Sequence, residues 1–260
     1  MKDIISSGDL LVYLADNAIE IEAAQRLRYK VFYQEMGAVP SLHARRARLD
    51  EDPFDSLCDH LLVVDKSRSN GKPFVVGTYR LLRRSVAEKA QGFYSRNEFD
   101  LTSLLAYPGE IVELGRSCVH EDYRSGAVMQ LLWRGISAYL DAYGIEMMFG
   151  CASFPGTDPE AIKVGLSYLH HYHLASEEIR PRAQQTRFVD MGKIAPDWLD
   201  RRSALSELPP LIKGYLRVGG VVGEGAVIDR QFNTTDICVI VECTKITERY
   251  RRHYKPSGTS

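Results

Sequence analysis

Between Asn17 and Met36 apolar residues recur at three- and four-residue spacing, at Ile21, Ala24, Leu27, Val31 and Phe32. That period predicts a helix, with Asp16 or Asn17 as its N-cap. The pattern then breaks into a charged loop from Pro40 to Asp59, and two β-type runs follow at His60–Asp65 and Phe74–Leu82. Their connection, Lys66–Pro73, carries Ser69-Asn70-Gly71, which is good hairpin chemistry. Glu110–Val119 predicts a further strand, and the loop His120–Gly126 leads from it into an amphipathic helix from about Ala127 to Tyr143. A short apolar strand, Glu146–Cys151, precedes helix-start signals in Ser153–Pro159. There Thr157 or Asp158 caps, Pro159 sits in the first turn, and the helix runs through Tyr168 to about His173. A polar segment with Pro181, Pro196, Pro209 and Pro210 separates this from a helical Leu211–Val218 and a strand at Thr235–Cys243. The class is mixed α/β. Residues 1–180 read as a core and 181–260 as a C-terminal extension completing the same domain.

Composition excludes little beyond the extremes. At 260 residues, 45% hydrophobic and 26% charged, the chain is long enough for a sizeable core. A formal net charge of -1 gives no bulk attraction for nucleic acid. The five cysteines, Cys58, Cys118, Cys151, Cys238 and Cys243, are an odd number without a CxxC pair, so reduced buried thiols are expected. Met1–Leu14 holds no apolar run with a cleavage site, and no stretch approaches the roughly 18 apolar residues a membrane span needs. The expectation is a cytoplasmic protein that meets lipid, if at all, from the membrane surface.

The strand–loop–helix at the centre is the most informative segment. A strand opening through a basic, Gly-containing loop places free N–H groups at a helix N-terminus. Arg124, Gly126 and Ala127 are thus candidates to hold a phosphate or pyrophosphate. Glu113 and Arg116 are three apart and face opposite sides of a regular strand. A bulge near Gly115 would change that facing and free a backbone N–H able to polarise a carbonyl. A cross-strand salt pair is the competing reading of the same two residues.

These residues carry a resemblance. The strand–loop–helix looks like the acyl-carrier-binding core of the GCN5-related N-acetyltransferase superfamily. The first half resembles acyl-homoserine lactone synthases through Arg28-Tyr29-Lys30-Val31-Phe32, Asp50…Asp55, Val76-Gly77-Thr78-Tyr79-Arg80-Leu81-Leu82 and Glu113-Leu114-Gly115-Arg116. The second half departs from those synthases and is similar to the ornithine N-alpha-acyltransferases of bacterial ornithine-lipid synthesis. The matching runs begin at Gly150-Cys151-Ala152-Ser153-Phe154-Pro155 and Tyr168-Leu169-His170-His171, then continue at Pro209-Pro210-Leu211-Ile212 and Gly225-Ala226-Val227-Ile228-Asp229…Asp236. The resemblance spans roughly residues 15–245. It implies a central mixed sheet flanked by helices, and transfer of a 3-hydroxyacyl group from acyl carrier protein to the α-amine of ornithine, giving lyso-ornithine lipid. The acyl carrier protein thioester is then a co-substrate, and neither a permanently bound cofactor nor a metal is implied. The loop Arg124-Ser125-Gly126-Ala127-Val128 departs from the superfamily's usual Arg/Gln-x-x-Gly-x-Gly/Ala. It suits the single phosphate of a carrier-bound phosphopantetheine better than coenzyme A.

The chemistry assigns candidate roles. An α-amine is largely protonated at neutral pH, so attack on a thioester needs a base, and Glu113 is the candidate. Tyr168 could protonate the leaving thiolate, or be a packing tyrosine. A zwitterionic, cationic acceptor calls for mixed charges. Asp50 and Asp55, with Glu51, Asp52 and Asp59, supply one sign; Arg28, Arg80 and Arg116 supply the other, beside Phe32. The competing readings are a solvated loop for the acidic stretch and a structural network with the same aspartates for Arg28 and Arg80. The expectation combines binding and structure, a network that orders the loop over the acceptor site. His170, His171 and His173 lack a completing acidic or thiol ligand and read as structural or substrate-facing. Other acceptors, homoserine among them, and a non-catalytic carrier-binding module remain the rival functions. The basic tail Arg249–Lys255 is a solvated end or a contact for acidic carrier protein or anionic lipid.

Overall fold

Leu61, Leu62, Val63 and Val64 are consecutive and all buried, so their strand must be covered on both faces. The computed structural model, which describes residues 5–243, shows how. Its strands are β1 (Ile5–Ser7), β2 (Leu10–Leu14), β3 (Asp59–Asp65), β4 (Val75–Arg83), β5 (Phe99–Asp100) and β6 (Glu110–Val119). They continue as β7 (Ile145–Pro155), β8 (Arg182–Ala183), β9 (Phe188–Val189), β10 (Val221–Val222), β11 (Ala226–Asp229) and β12 (Thr234–Glu242). One mixed sheet runs β1-β2-β3-β4-β6-β7-β12-β11-β9 with β10 beside β12, while β5 and β8 pair separately. Within it β6 and β7 are parallel and the other neighbours antiparallel.

The helices are α1 (Ala18–Tyr29), α2 (Leu42–Ala47), α3 (Arg84–Ala87), α4 (Thr102–Leu105), α5 (Ala127–Tyr143), α6 (Lys163–His173), α7 (Arg201–Glu207) and α8 (Pro210–Arg217). The period-2 alternation of β3 divides the core. Leu61 and Val63 pack with Val128, Leu132 and Ile136 of α5, whereas Leu62 and Val64 pack with Ala24 and Leu27 of α1. Further along the α1 side, Met147, Phe149, Cys238 and Ile240 cluster with Phe93, Phe99 and Leu104. The cysteines are free thiols.

Several sequence expectations need correction. Asn17 does cap α1, accepting the Glu20 N–H at 3.1 Å, but after Tyr29 the helix widens into a π-helical segment, Lys30–Glu35. The strand expected at Glu146–Cys151 extends to Pro155, and the following helix begins at Lys163 rather than near Pro159. Pairing wins over the local cap signals, because β12 aligns with β7 as far as Thr234 opposite Pro155. Asp158 caps only a turn there, accepting the Glu160 N–H at 3.0 Å. Residues beyond 181 contribute β9 to β12 to the main sheet. Among the described residues no helix is long and apolar enough to cross a membrane. The basic tail Arg249–Lys255 lies outside them.

Candidate active site

The parallel pairing of β6 and β7 stops at Glu113 opposite Phe149. Just beyond, Gly150 is forced by contact: a Cβ there would stand 2.1 Å from the Leu114 carbonyl oxygen. Past this point Gly115, Arg116 and Ser117 of β6 face Cys151, Ala152 and Ser153 of β7 across a cavity of about 1070 Å³, counting its open mouth. A bulge shapes the β6 wall. Thr78 pairs with Cys118 and Arg80 with Gly115, so Tyr79 opposes both Arg116 and Ser117. Arg116 has φ 52°, an unusual left-handed conformation for a side chain of its size. The bulge anticipated near Gly115 is therefore present, and it takes one residue's N–H out of the β4–β6 ladder.

An ionic layer lies against this wall. Arg28, only 1% exposed, bonds Asp50 through Nε at 2.8 Å and Asp55 through Nη1 at 2.9 Å. Arg80 Nη1 lies 2.7 Å from Asp52 and 3.2 Å from Asp55. Arg116 reaches Asp50 at 3.2 Å and Asp52 at 3.1 Å, with its guanidinium centre 4.8 Å from the Tyr94 ring centroid and 4.5 Å from that of Phe232. Three cations thus match three carboxylates. Burial opposes ionisation of Asp55, yet the Arg28 guanidinium, with help from Arg80, more than offsets it and holds the carboxyl well below its ordinary range. The charged loop is locked down rather than solvated. Arg80, Arg116 and Phe32 line the cavity; Arg28, Asp50 and Asp55 stand behind it.

Glu113 lines the same cavity and makes no salt pair with Arg116, so the cross-strand reading is replaced. Its Oε2 accepts the Tyr94 N–H at 2.7 Å; its Oε1 accepts the Ser95 N–H at 2.7 Å and the Ser95 hydroxyl. Burial raises its pKa, and the Ser95 and Tyr94 donors offset part of that rise. The result is an oriented carboxylate, more basic than one in water.

Other expected residues fall elsewhere. Tyr168 is not on the cavity wall: its hydroxyl sits 3.2 Å from His173 Nε2, so its placement lends the thiolate-protonating role no support. Arg124 is half-exposed at the loop before α5; it pairs with Glu35, and its Nε donates to the Val119 carbonyl at 3.1 Å. Gly126 has φ 103° and no side chain caps α5, leaving Ala127 at the head of an uncapped first turn. His171 bonds the Ile194 carbonyl at 2.8 Å and His173 bonds Tyr168, so these two histidines have separate partners.

The sequence reading missed one wall altogether. Asp229 and Asp236 line the cavity opposite β6, and Glu98 joins them, with carboxylate oxygens of all three within 4.8 Å of one another. Ser95 and Cys151 connect this group to Glu113. The Cys151 sulfur is 3.3 Å from the Ser95 hydroxyl and 3.4 Å from Glu98 Oε2. Burial and then Glu98 push the Cys151 thiol well above its usual range, which leaves it protonated and a poor nucleophile. The available signal was Asp236 itself, an acid inside the apolar run Thr234–Glu242.

A mixed sheet whose one parallel pair parts around a cavity, beside a bulged strand and an uncapped helix, defines a GNAT-type acyltransferase. The acetyltransferase (GNAT) domain family matches residues 27–134. In overall fold the chain is similar to an N-acyl amino acid synthase from uncultured soil microbes, at TM-score 0.51 and 10% identity, covering 91% of this chain and 93% of that one. It is also similar to a CoA-dependent acyl-homoserine lactone synthase, at TM-score 0.50 and 16% identity over 92% of this chain and 84% of that one. Sequence similarity is far higher to the L-ornithine N(alpha)-acyltransferase of Rhodobacter capsulatus, 47% identical over 94% of this chain and 93% of that protein. The Rhizobium meliloti protein of the same name is 46% identical over 95% of this chain and 84% of its own. The chain belongs to the L-ornithine N(alpha)-acyltransferase family.

Proposed function

We propose that this protein transfers a 3-hydroxyacyl group from acyl carrier protein to the α-amine of L-ornithine, forming lyso-ornithine lipid at the cytoplasmic side of the membrane. The observation that carries the reading is one cavity, open between the parted strands, holding both a buried basic carboxylate and charges of each sign. The names of the relatives supply the acceptor.

In the proposed reaction the α-ammonium gives one proton to solvent, and Glu113, directly or through a water, takes the second from the nitrogen as it attacks and later releases it to solvent. The amine nitrogen then bonds to the thioester carbon, and the oxyanion is held by the N–H that the bulge at Arg116 and Ser117 takes out of the ladder. Collapse breaks the carbon–sulfur bond, and the released thiolate takes up a proton from solvent. Arg80 and Arg116 orient the acceptor's carboxylate, their own positions fixed by Asp50, Asp52 and Asp55. Arg124 and the first turn of α5 at Gly126 and Ala127 receive the phosphopantetheine phosphate. Arg124 must share or exchange its contact with Glu35 to do so.

The test incubates the protein with 3-hydroxyacyl carrier protein and ornithine, lysine, homoserine or norvaline, following thiol release and product mass. Acyl-ornithine is the expected product. Thiol release with homoserine-type acceptors and none with ornithine overturns the proposal.

A further inference from the structure

We propose that Glu98, Asp229 and Asp236 form a pocket for the side-chain ammonium of the acceptor and so select a dibasic amino acid over a neutral one of equal length. This rests on the acceptor reading above and deepens it.

Charge balance separates the two walls. On the β6 wall every guanidinium already has carboxylate partners. Opposite, three acidic side chains converge, and among the described residues the cation paired with them is Arg187, 3.5 Å from Glu98 and also donating to the Ile228 carbonyl at 3.2 Å. Asp229 Oδ1 accepts the N–H groups of Gln231 and Phe232, which fixes the turn carrying Phe232 against Arg116. Asp236 is 6% exposed, lines the cavity, and its Oδ1 is buried with no hydrogen-bond partner. An unmet carboxylate oxygen in such surroundings is costly, and a donor with positive charge relieves both deficits at once.

Reach agrees with the assignment. Glu98 is linked to Glu113 through two side chains, Cys151 and Ser95. Bond lengths put the two nitrogens of extended ornithine roughly 6 Å apart, so a side-chain ammonium at the acidic group leaves the α-amine directed toward Glu113.

Burial and mutual repulsion favour a proton on this acidic group. Burial, then repulsion from Asp236, raises Glu98 to about 7, and burial raises Asp236 to about 6. The other groups facing them are Asp229, Arg187, Arg116, the Cys151 thiol and the hydroxyls of Ser95, Ser153 and Thr234. An entering ammonium displaces that proton.

The test measures kcat/KM for ornithine and for norvaline, which lacks the second amine, in wild type, Asp236→Asn and Glu98→Gln. The expected result is at least a tenfold fall in the ornithine-to-norvaline ratio in each folded variant, carried by KM for ornithine. Two variants on different elements keep the test decisive if one fails to fold. Wild type that prefers ornithine while both ratios stay unchanged overturns this inference alone. Wild type that does not prefer ornithine overturns it together with the acceptor reading. Calorimetry with Mg²⁺, Ca²⁺, Mn²⁺ and Zn²⁺ covers the competing ligand: saturable metal binding lost in Asp236→Asn, with an unchanged ratio, makes this a metal site instead.

Discussion

Glu113→Gln separates chemistry from scaffolding at the one carboxylate that the proposed reaction needs. Glutamine keeps an oxygen for the Ser95 donors but turns its amide toward the Tyr94 N–H, which Glu113 Oε2 meets at 2.7 Å. Losing a charge-assisted bond and opposing two donors costs about 2–4 kcal/mol. Removing a buried charge, whose pKa burial has raised, returns part of that. The net loss of stability is therefore about 1–3 kcal/mol, and the variant still folds. Loss of a general base lowers kcat by roughly 10²–10⁴, or about 3–5 kcal/mol of transition-state stabilisation. The two effects are read independently: urea unfolding for the first, thiol release at saturating ornithine and carrier thioester for the second. A base role also abolishes the acidic limb of the wild-type rate profile that Glu113 sets. Folded Glu113→Gln with kcat within about threefold of wild type refutes the reasoning and leaves Glu113 as an anchor for the Tyr94–Ser95 turn.

Asp55→Asn leaves Arg28 with a reduced set of buried partners and lowers stability at pH 7 by about 3–5 kcal/mol in chemical denaturation. Because the folded-state carboxyl is held low, this gap is full above the unfolded value near 3.8 and shrinks as pH falls below it. Gly150→Ala drives a methyl group onto the Leu114 carbonyl, lowering stability by about 1–3 kcal/mol and Tm by several degrees in a thermal scan. Arg124→Glu raises KM for the carrier thioester about tenfold in steady-state kinetics and leaves KM for ornithine unchanged. In wild type the ornithine-to-norvaline ratio rises with pH, with its midpoint at about 7 as Glu98 loses its proton, and levels off roughly one unit higher; a flat ratio from about pH 5.5 to 9 contradicts the proton displacement. Both amino acids share the α-amine titration, so the ratio cancels it.

What could be read from sequence follows the range of the interactions involved. The segment Glu110–Val119 and the helix Ala127–Tyr143 have the bounds expected of them, because local features set them: an apolar period, with Gly126 and Gly144 in left-handed conformations at the helix ends. The start of α6 was not legible, since a strand pairing between β7 and β12, some eighty residues apart, overrides the capping residues near Asp158. The loop around Asp50–Asp55 has the composition of a solvated charge run, yet Arg28, Arg80 and Arg116 from three separate elements neutralise it in the interior. Glu98, Asp229 and Asp236 share no spacing at all, and only the fold brings them together.

That distribution bears on how the site is assembled. Glu113 and the bulge at Arg116 lie on β6, within the part of the chain matched as a GNAT domain. Asp229, Phe232 and Asp236 lie beyond it, on or between β11 and β12. Because β12 continues the sheet directly beside β7, the C-terminal part forms the wall facing the proposed base rather than an appendage to a finished site. If the proposed roles hold, a change of acceptor within this fold needs substitutions on β11 and β12 and in the Glu98 segment, while the β6 groups proposed for acyl transfer stay in place.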